Sequence, residues 1–165
     1  MKKLVILSVM LLVSITCLGQ NNNLPDALSV KDAIAIYNGG MEVAKSKLAE
    51  LGYKSYGKCG IYNCWSKNCD YSCDLDKASK FGKGTSSVVN VEPNEKEVRI
   101  SVFNKGAFQK LKSQIVALGY KKTDEWGGSG GNHFDVYSKN GFPNITAADE
   151  SMDSNLPYTI SVSKE

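Results

Sequence analysis

Two stretches of this chain, 67 residues apart, spell the same junction. Met41, Ala44, Leu48 and Leu51 form one helical stripe that runs into Leu51-Gly52-Tyr53-Lys54. Phe108, Leu111, Ile115 and Leu118 form another that runs into Leu118-Gly119-Tyr120-Lys121. Apolar residues three and four apart argue a helix with one buried side, and the glycine that follows argues a helix stop. Each stripe is followed by an aromatic-Ser-Lys-Asn segment (Trp65 to Asn68, Tyr137 to Asn140), and each half closes on Ile-Ser-Val (Ile100 to Val102, Ile160 to Val162). A chain written this way is constrained to fold as two units of one kind.

The local signals fill in those units. Ser29 with Asp32 resembles a capping box that opens a short helix with Val30, Ala33, Ile34 and Tyr37 on one side; Gly39-Gly40 breaks it before the stripe at Met41. A second helix, about Met41 to Leu51, carries the stripe, and its equivalent in the second half starts near Lys105-Gly106 and stops at Gly119. Strands are expected at Gly60 to Trp65, Val88 to Glu92, Val98 to Phe103, His133 to Ser138, Asn144 to Ala148 and Tyr158 to Ser163, with Asn140-Gly141 as a hairpin turn. The resulting fold class is α+β, two tandem α-β-β-β repeats with an antiparallel sheet and the helices on one face. The expected organisation is a signal peptide at 1–19, a disordered linker at 20–28, a first repeat at 29–103 with a disulfide-stapled insertion, and a second repeat at 104–165.

Alternation assigns the faces. Tyr62, Cys64, Val89, Val91, Val98, Ile100 and Val102 should meet the helices, as should Phe134, Val136, Ile145, Tyr158, Ile160 and Val162. The helix-free face should then show Asn63, Trp65, Asn90, Arg99, Ser101 and Phe103, with Asp135, Tyr137, Thr159 and Ser161. Trp65, Tyr137, Arg99 and Phe103 are the candidate binding residues, because large aromatics on a sheet face anchor partners.

Lys2 and Lys3, the uncharged run Leu4 to Ile15 and the small residues at Cys17-Leu18-Gly19 read as an export signal, cut before Gln20. The run is too short to span a bilayer comfortably. Export would be to the periplasm or the extracellular space; lipid attachment at Cys17 is the alternative to a freely released chain. The whole chain carries a formal charge of +3, and without Lys2 and Lys3 it carries +1. That small charge argues against nucleic acid and anionic lipid, and with Arg99 as the sole arginine, where bidentate recognition favours arginine clusters, a phosphate-reading protein is not expected. The expected protein does not span the membrane and is a monomer.

Four cysteines follow the leader: Cys59, Cys64, Cys69 and Cys73. In an exported chain an even cluster argues two disulfides. With Gly60 to Trp65 extended, Cys59 and Cys64 would stand about 16 Å apart at ~3.3 Å per residue, too far to bridge. A hairpin keeps the sum of paired positions constant, which favours the nested pairing Cys59–Cys73 and Cys64–Cys69 over the crossed one. The spacing lacks the short knuckle of a zinc site, so no metal and no cofactor is expected.

Other motifs carry less chemistry. His133, the only histidine, lies near Asp135, but no nucleophile elbow accompanies it; a small hydrolase using His133 is an alternative reading. Gly127 to Gly131 lacks the Lys-Ser/Thr of a phosphate loop and reads as a loop tip. Asp149, Glu150 and Asp153 lack calcium-loop spacing and read as a solvated turn. Tyr71, Trp126 and Phe142 are further aromatics with partly exposed positions expected.

In element order, Ser29 to Lys164 resembles the β-lactamase inhibitory protein family, and also exported PepSY-type repeats. The helix-break-helix opening around Gly39-Gly40 fits the inhibitor pattern. The second half lacks that opening, and the clustered cysteines depart from it. The resemblance implies a curved sheet that grips a partner protein. The function expected is an exported, non-enzymatic binding module that grips or inhibits a partner protein or cell-envelope component through the helix-free face. A structural envelope protein is the third reading.

Overall fold

The computed structural model describes residues 27–69, 85–94, 96–127, 132–149 and 157–164. The expected leader at 1–19, residues 20–26 of the expected linker, Tyr71, Cys73, Gly128 to Gly131, Glu150 and Asp153 lie outside the described residues. Two helices, α1 (Val30–Glu50) and α2 (Lys105–Ala117), accompany eight strands: β1 (Lys54–Cys59), β2 (Tyr62–Lys67), β3 (Ser87–Glu92), β4 (Glu97–Val102), β5 (Lys121–Gly127), β6 (His133–Ser138), β7 (Asn144–Asp149) and β8 (Tyr158–Ser163). The strands form one antiparallel sheet in the order β1-β2-β3-β4-β8-β7-β6-β5. The α+β class is as expected, with four strands after each helix where the sequence predicted three. The last strands of the two halves join at the centre, where Ile100 pairs with Ile160.

The repeated Leu-Gly-Tyr-Lys is a helix stop with a defined hydrogen-bond pattern. Gly52 sits at φ +77° and Gly119 at φ +84°, a region that costs other residues a steric clash. Gly52 N–H donates to the Ala49 carbonyl and Tyr53 N–H to that of Leu48; Gly119 and Tyr120 repeat this with Val116 and Ile115. This is the paired bonding of a Schellman cap. The cap turns the chain so that Tyr53 and Tyr120 enter the core (6% and 4% exposed) and Lys54 and Lys121 start edge strands.

At the N-termini, Ser29 accepts from Asp32 N–H and Asn104 accepts from Gly106 and Ala107 N–H, satisfying donors that the helices leave open. Val30, Ala33, Ile36, Ala44 and Leu48 of α1, with Ala107, Phe108, Leu111 and Ile115 of α2, are buried. They meet Val89, Val91, Val98, Ile100, Val102, Ile145, Ile160 and Val162 in one core. Leu28, assigned to the linker from sequence, belongs to this core: it is fully buried and its N–H donates to the Tyr53 hydroxyl at 2.8 Å.

Gly40 interrupts α1 at φ +70°, ψ −158°. The break expected at Gly39-Gly40 is therefore present: α1 is two helical segments that meet at a non-helical Gly40. That backbone conformation is essentially confined to glycine, so Gly40→Ala should lower stability by about 1–3 kcal/mol, read as a lower urea midpoint with an unchanged slope.

β1 and β5 are the two edges of the sheet, and neither is among the strands expected from the sequence. Every residue of β5 is exposed, so there is no buried side to impose apolar alternation. Each edge also carries a register shift, between Ser55 and Gly57 and between Lys122 and Asp124. Bulges and charge on an edge discourage pairing with other chains.

The cysteine geometry differs from the expectation. Gly60 and Ile61 form the β1–β2 turn, so Cys59 and Cys64 lie on neighbouring strands rather than along one. Cys64 pairs with Gly57 on one side and Asn90 on the other, which removes the hairpin on which the nested pairing depended. Cys64 and Cys69 are thiols, and no bridge joins them. Cys73, the partner expected for Cys59, lies outside the described residues.

Candidate functional site

The strand pairing sorts the two faces residue by residue. One row runs Trp65, Val89, Ile100, Ile160, Ala147, Asp135, Glu125 across the sheet on the helix side. The next runs Asn63, Val91, Val98, Val162, Ile145, Tyr137 on the same side. Between them, Cys64, Asn90, Arg99, Ser161, Thr146 and Val136 point away from the helices.

Trp65 and Tyr137 are thus not on the helix-free face. They are 4% and 5% exposed and belong to the core. β2 and β6 are both inverted relative to the sequence expectation: Tyr62, Cys64, Phe134 and Val136 take the helix-free side, while Asn63, Trp65, Asp135 and Tyr137 take the helix side. The assignments for β3, β4, β7 and β8 hold. In β2 the single large indole outweighs Cys64 as a core residue. In β6 the cause is a charge that the helix side can satisfy, described below.

Arg99 does lie on the helix-free face. It donates to Glu97 Oε1 at 2.9 Å and to the Tyr62 hydroxyl at 3.2 Å, with its guanidinium 5.3 Å from the Tyr62 ring. Tyr62 in turn donates to Glu97 Oε2 at 2.9 Å. Burial and this bond to a carboxylate push the Tyr62 hydroxyl up from its ordinary pKa. Phe103 is half-buried at the bend that follows β4. At the far end of the same face, Trp126 of β5 stacks on Phe134 of β6, with centroids 4.0 Å apart and planes 10° apart. Trp126 remains 51% exposed. Phe134 and Val136 are half-buried beside it. Sequence alternation could have found this pair only by allowing β6 to turn its apolar side outward.

On the helix side of β6, Asp135 is the centre of an ion cluster. Its carboxylate accepts from Lys112 of α2 at 2.5 Å, from Lys122 of β5 at 2.7 Å and lies 3.0 Å from His133 Nε2. Lys122 also bonds Glu125. The β5 bulge matters here, because the extra residue Thr123 lets Lys122 and Glu125 share the helix side. Burial alone would push the Asp135 carboxyl up; the bonds from Lys112, Lys122 and His133 outweigh it and hold the group well below the usual carboxylate range. The same bonds, with Asp135 first and Glu125 second, raise Lys122.

The structure therefore brings His133 and Asp135 together, as a dyad reading requires. Among the described residues no hydroxyl or thiol is bonded to His133, whose partner is Asp135. The ligand atoms of Glu125, His133 and Asp135 lie within 4.8 Å of one another and could hold a divalent metal. Lys122 already bonds both carboxylates, so a metal would have to displace an ammonium. The arrangement as built neutralises one buried carboxylate.

Among the described residues no helix is long and apolar enough to cross a membrane. No protein-family model, no curated protein and no solved structure matches the chain.

Proposed function

We propose that the chain is an exported, non-enzymatic binding module that docks a partner protein on the helix-free face, centred on Trp126 and Phe134 and flanked by Val136 and Arg99. This keeps the face expected from the sequence and replaces Trp65 and Tyr137 as its anchors. The observation that carries it is the inversion of β6: two apolar side chains point away from the core while an aspartate is buried beneath a helix. An exposed indole stacked on a second ring is a rigid apolar plate, the kind of residue that dominates protein–protein contacts. The two-repeat origin and the likeness to the inhibitor family belong to the same proposal; the likeness implies a sheet that grips a partner.

The test is affinity capture from envelope and extracellular fractions with the wild-type protein and with Trp126→Ser. Trp126 is exposed on an edge strand, so the variant should fold with an unchanged melting curve. A protein held stoichiometrically by the wild type should be lost, with affinity down by about thirtyfold or more, as for an anchor worth ~2 kcal/mol. Equal recovery by both proteins would remove this face as the site. A wild-type dimer that Trp126→Ser dissolves would make a second copy the occupant.

A further inference from the structure

Tyr37 and Asn38 of α1, Gly119 after α2 and the β6–β7 turn converge at one rim of the sheet around a cavity of about 960 Å³. Four lysines line it, from four separate places in the chain: Lys96 from the β3–β4 turn, Lys121 from the start of β5, Lys139 after β6 and Lys164 after β8. Among the described residues no Asp or Glu lines it. We propose that this cavity binds a small multivalent oxyanion, one carrying two or more phosphate or carboxylate groups.

Three observations carry the proposal. First, four ammonium groups line one rim of the sheet with no described acid among them, and the chain beyond its leader has a formal charge of only +1, so the concentration is local. Second, no described acid forms an ion pair with any of the four cavity lysines, so no described carboxylate offsets their charge. Third, the cavity offers more than charge. Lys139 is held in place by donating to the Leu118 carbonyl at 2.7 Å, and its ammonium lies 4.4 Å from the centroid of Phe142, a ring 48% exposed at the rim. Asn38 and Ser138 add neutral polar groups. The volume is at the upper end of the range for small-molecule sites, about 300–1,000 Å³. With ammonium groups and no guanidinium, the site should read total charge rather than planar shape.

Titration calorimetry of the purified protein at low ionic strength, with tripolyphosphate and with citrate as probes, tests this. Saturable 1:1 binding of at least one probe is expected, weakening as salt is added. A preference for tripolyphosphate would assign a phosphorylated ligand, and a preference for citrate a carboxylated one. Lys121→Gln/Lys164→Gln, both exposed, should weaken binding by about tenfold or more. Lys31→Gln/Lys110→Gln removes the same charge from exposed positions on the helices and should leave affinity within about twofold. Lys139→Gln, with its fold checked by its melting curve, should weaken binding as well. Absence of saturable binding by both probes would overturn the proposal. So would an equal loss in the two double variants, which would mark diffuse attraction rather than a site.

Discussion

Trp65→Ala is expected to destabilise the protein by about 3–5 kcal/mol, the range for deleting a large aromatic from a packed core. Trp65 is 4% exposed and shares one core with Leu48, Tyr53 and Val89. Removing the indole withdraws its apolar surface from that core and leaves a cavity that β2 cannot close, because β2 is paired on both sides, to β1 and to β3. A domain of this size has about 5–15 kcal/mol in total, so a substantial fraction is at stake. Urea unfolding followed by fluorescence and by far-ultraviolet circular dichroism should give coincident transitions at a much lower midpoint. Trp126 remains as a reporter in the variant. A midpoint within the error of wild type would mean that Trp65 is solvated and that the placement of β2 is wrong.

That expectation reverses the one alternation alone suggests, and the reason lies in particular strands. β3, β4, β7 and β8 are central and rich in Val and Ile, so their faces are legible: Val89, Val91, Ile100, Ile145 and Ile160 all point where the pattern says. The helix stops are legible too, because Leu-Gly-Tyr-Lys encodes a cap whose bonding is local. β2 and β6 are not legible in this way. Each offers apolar residues on both sides, and what decides is tertiary: an indole too large to leave in water in β2, and partners for a carboxylate in β6. β1 and β5 were missed because an edge strand held by its neighbour's backbone needs no apolar side. The candidate site suffers most from this. Arg99 could be placed from its own strand, whereas the Trp126–Phe134 stack depends on one strand that was inverted and another that was not seen.

The burial of Asp135 has a measurable cost and a pH signature. Asp135→Asn should lose about 3 kcal/mol at neutral pH, the lower end of the range for breaking a buried ion pair. The lower end applies because the side chains of Lys112 and Lys122 are 25% and 40% exposed, and once released they can reach water. The remaining cost is the lost charge-assisted bonds and an amide group facing two ammoniums. Because the carboxyl titrates lower in the folded state than in the unfolded chain, the unfolded chain takes up a proton first as the pH falls. The stabilisation is therefore present in full above the unfolded value near pH 4 and is lost progressively below it. The difference in urea midpoint between wild type and Asp135→Asn should be constant from pH 5 to 8 and shrink by pH 3. A difference that persists undiminished at pH 3 would show that the variant acts through packing, and that the lysines are not what keeps this aspartate beneath α2. The same pair of proteins bears on β6: a strand that buries its acid only because two lysines reach it should lose that preference when the acid is gone. In Asp135→Asn, amide exchange along β6 should then rise more than along β3 or β4.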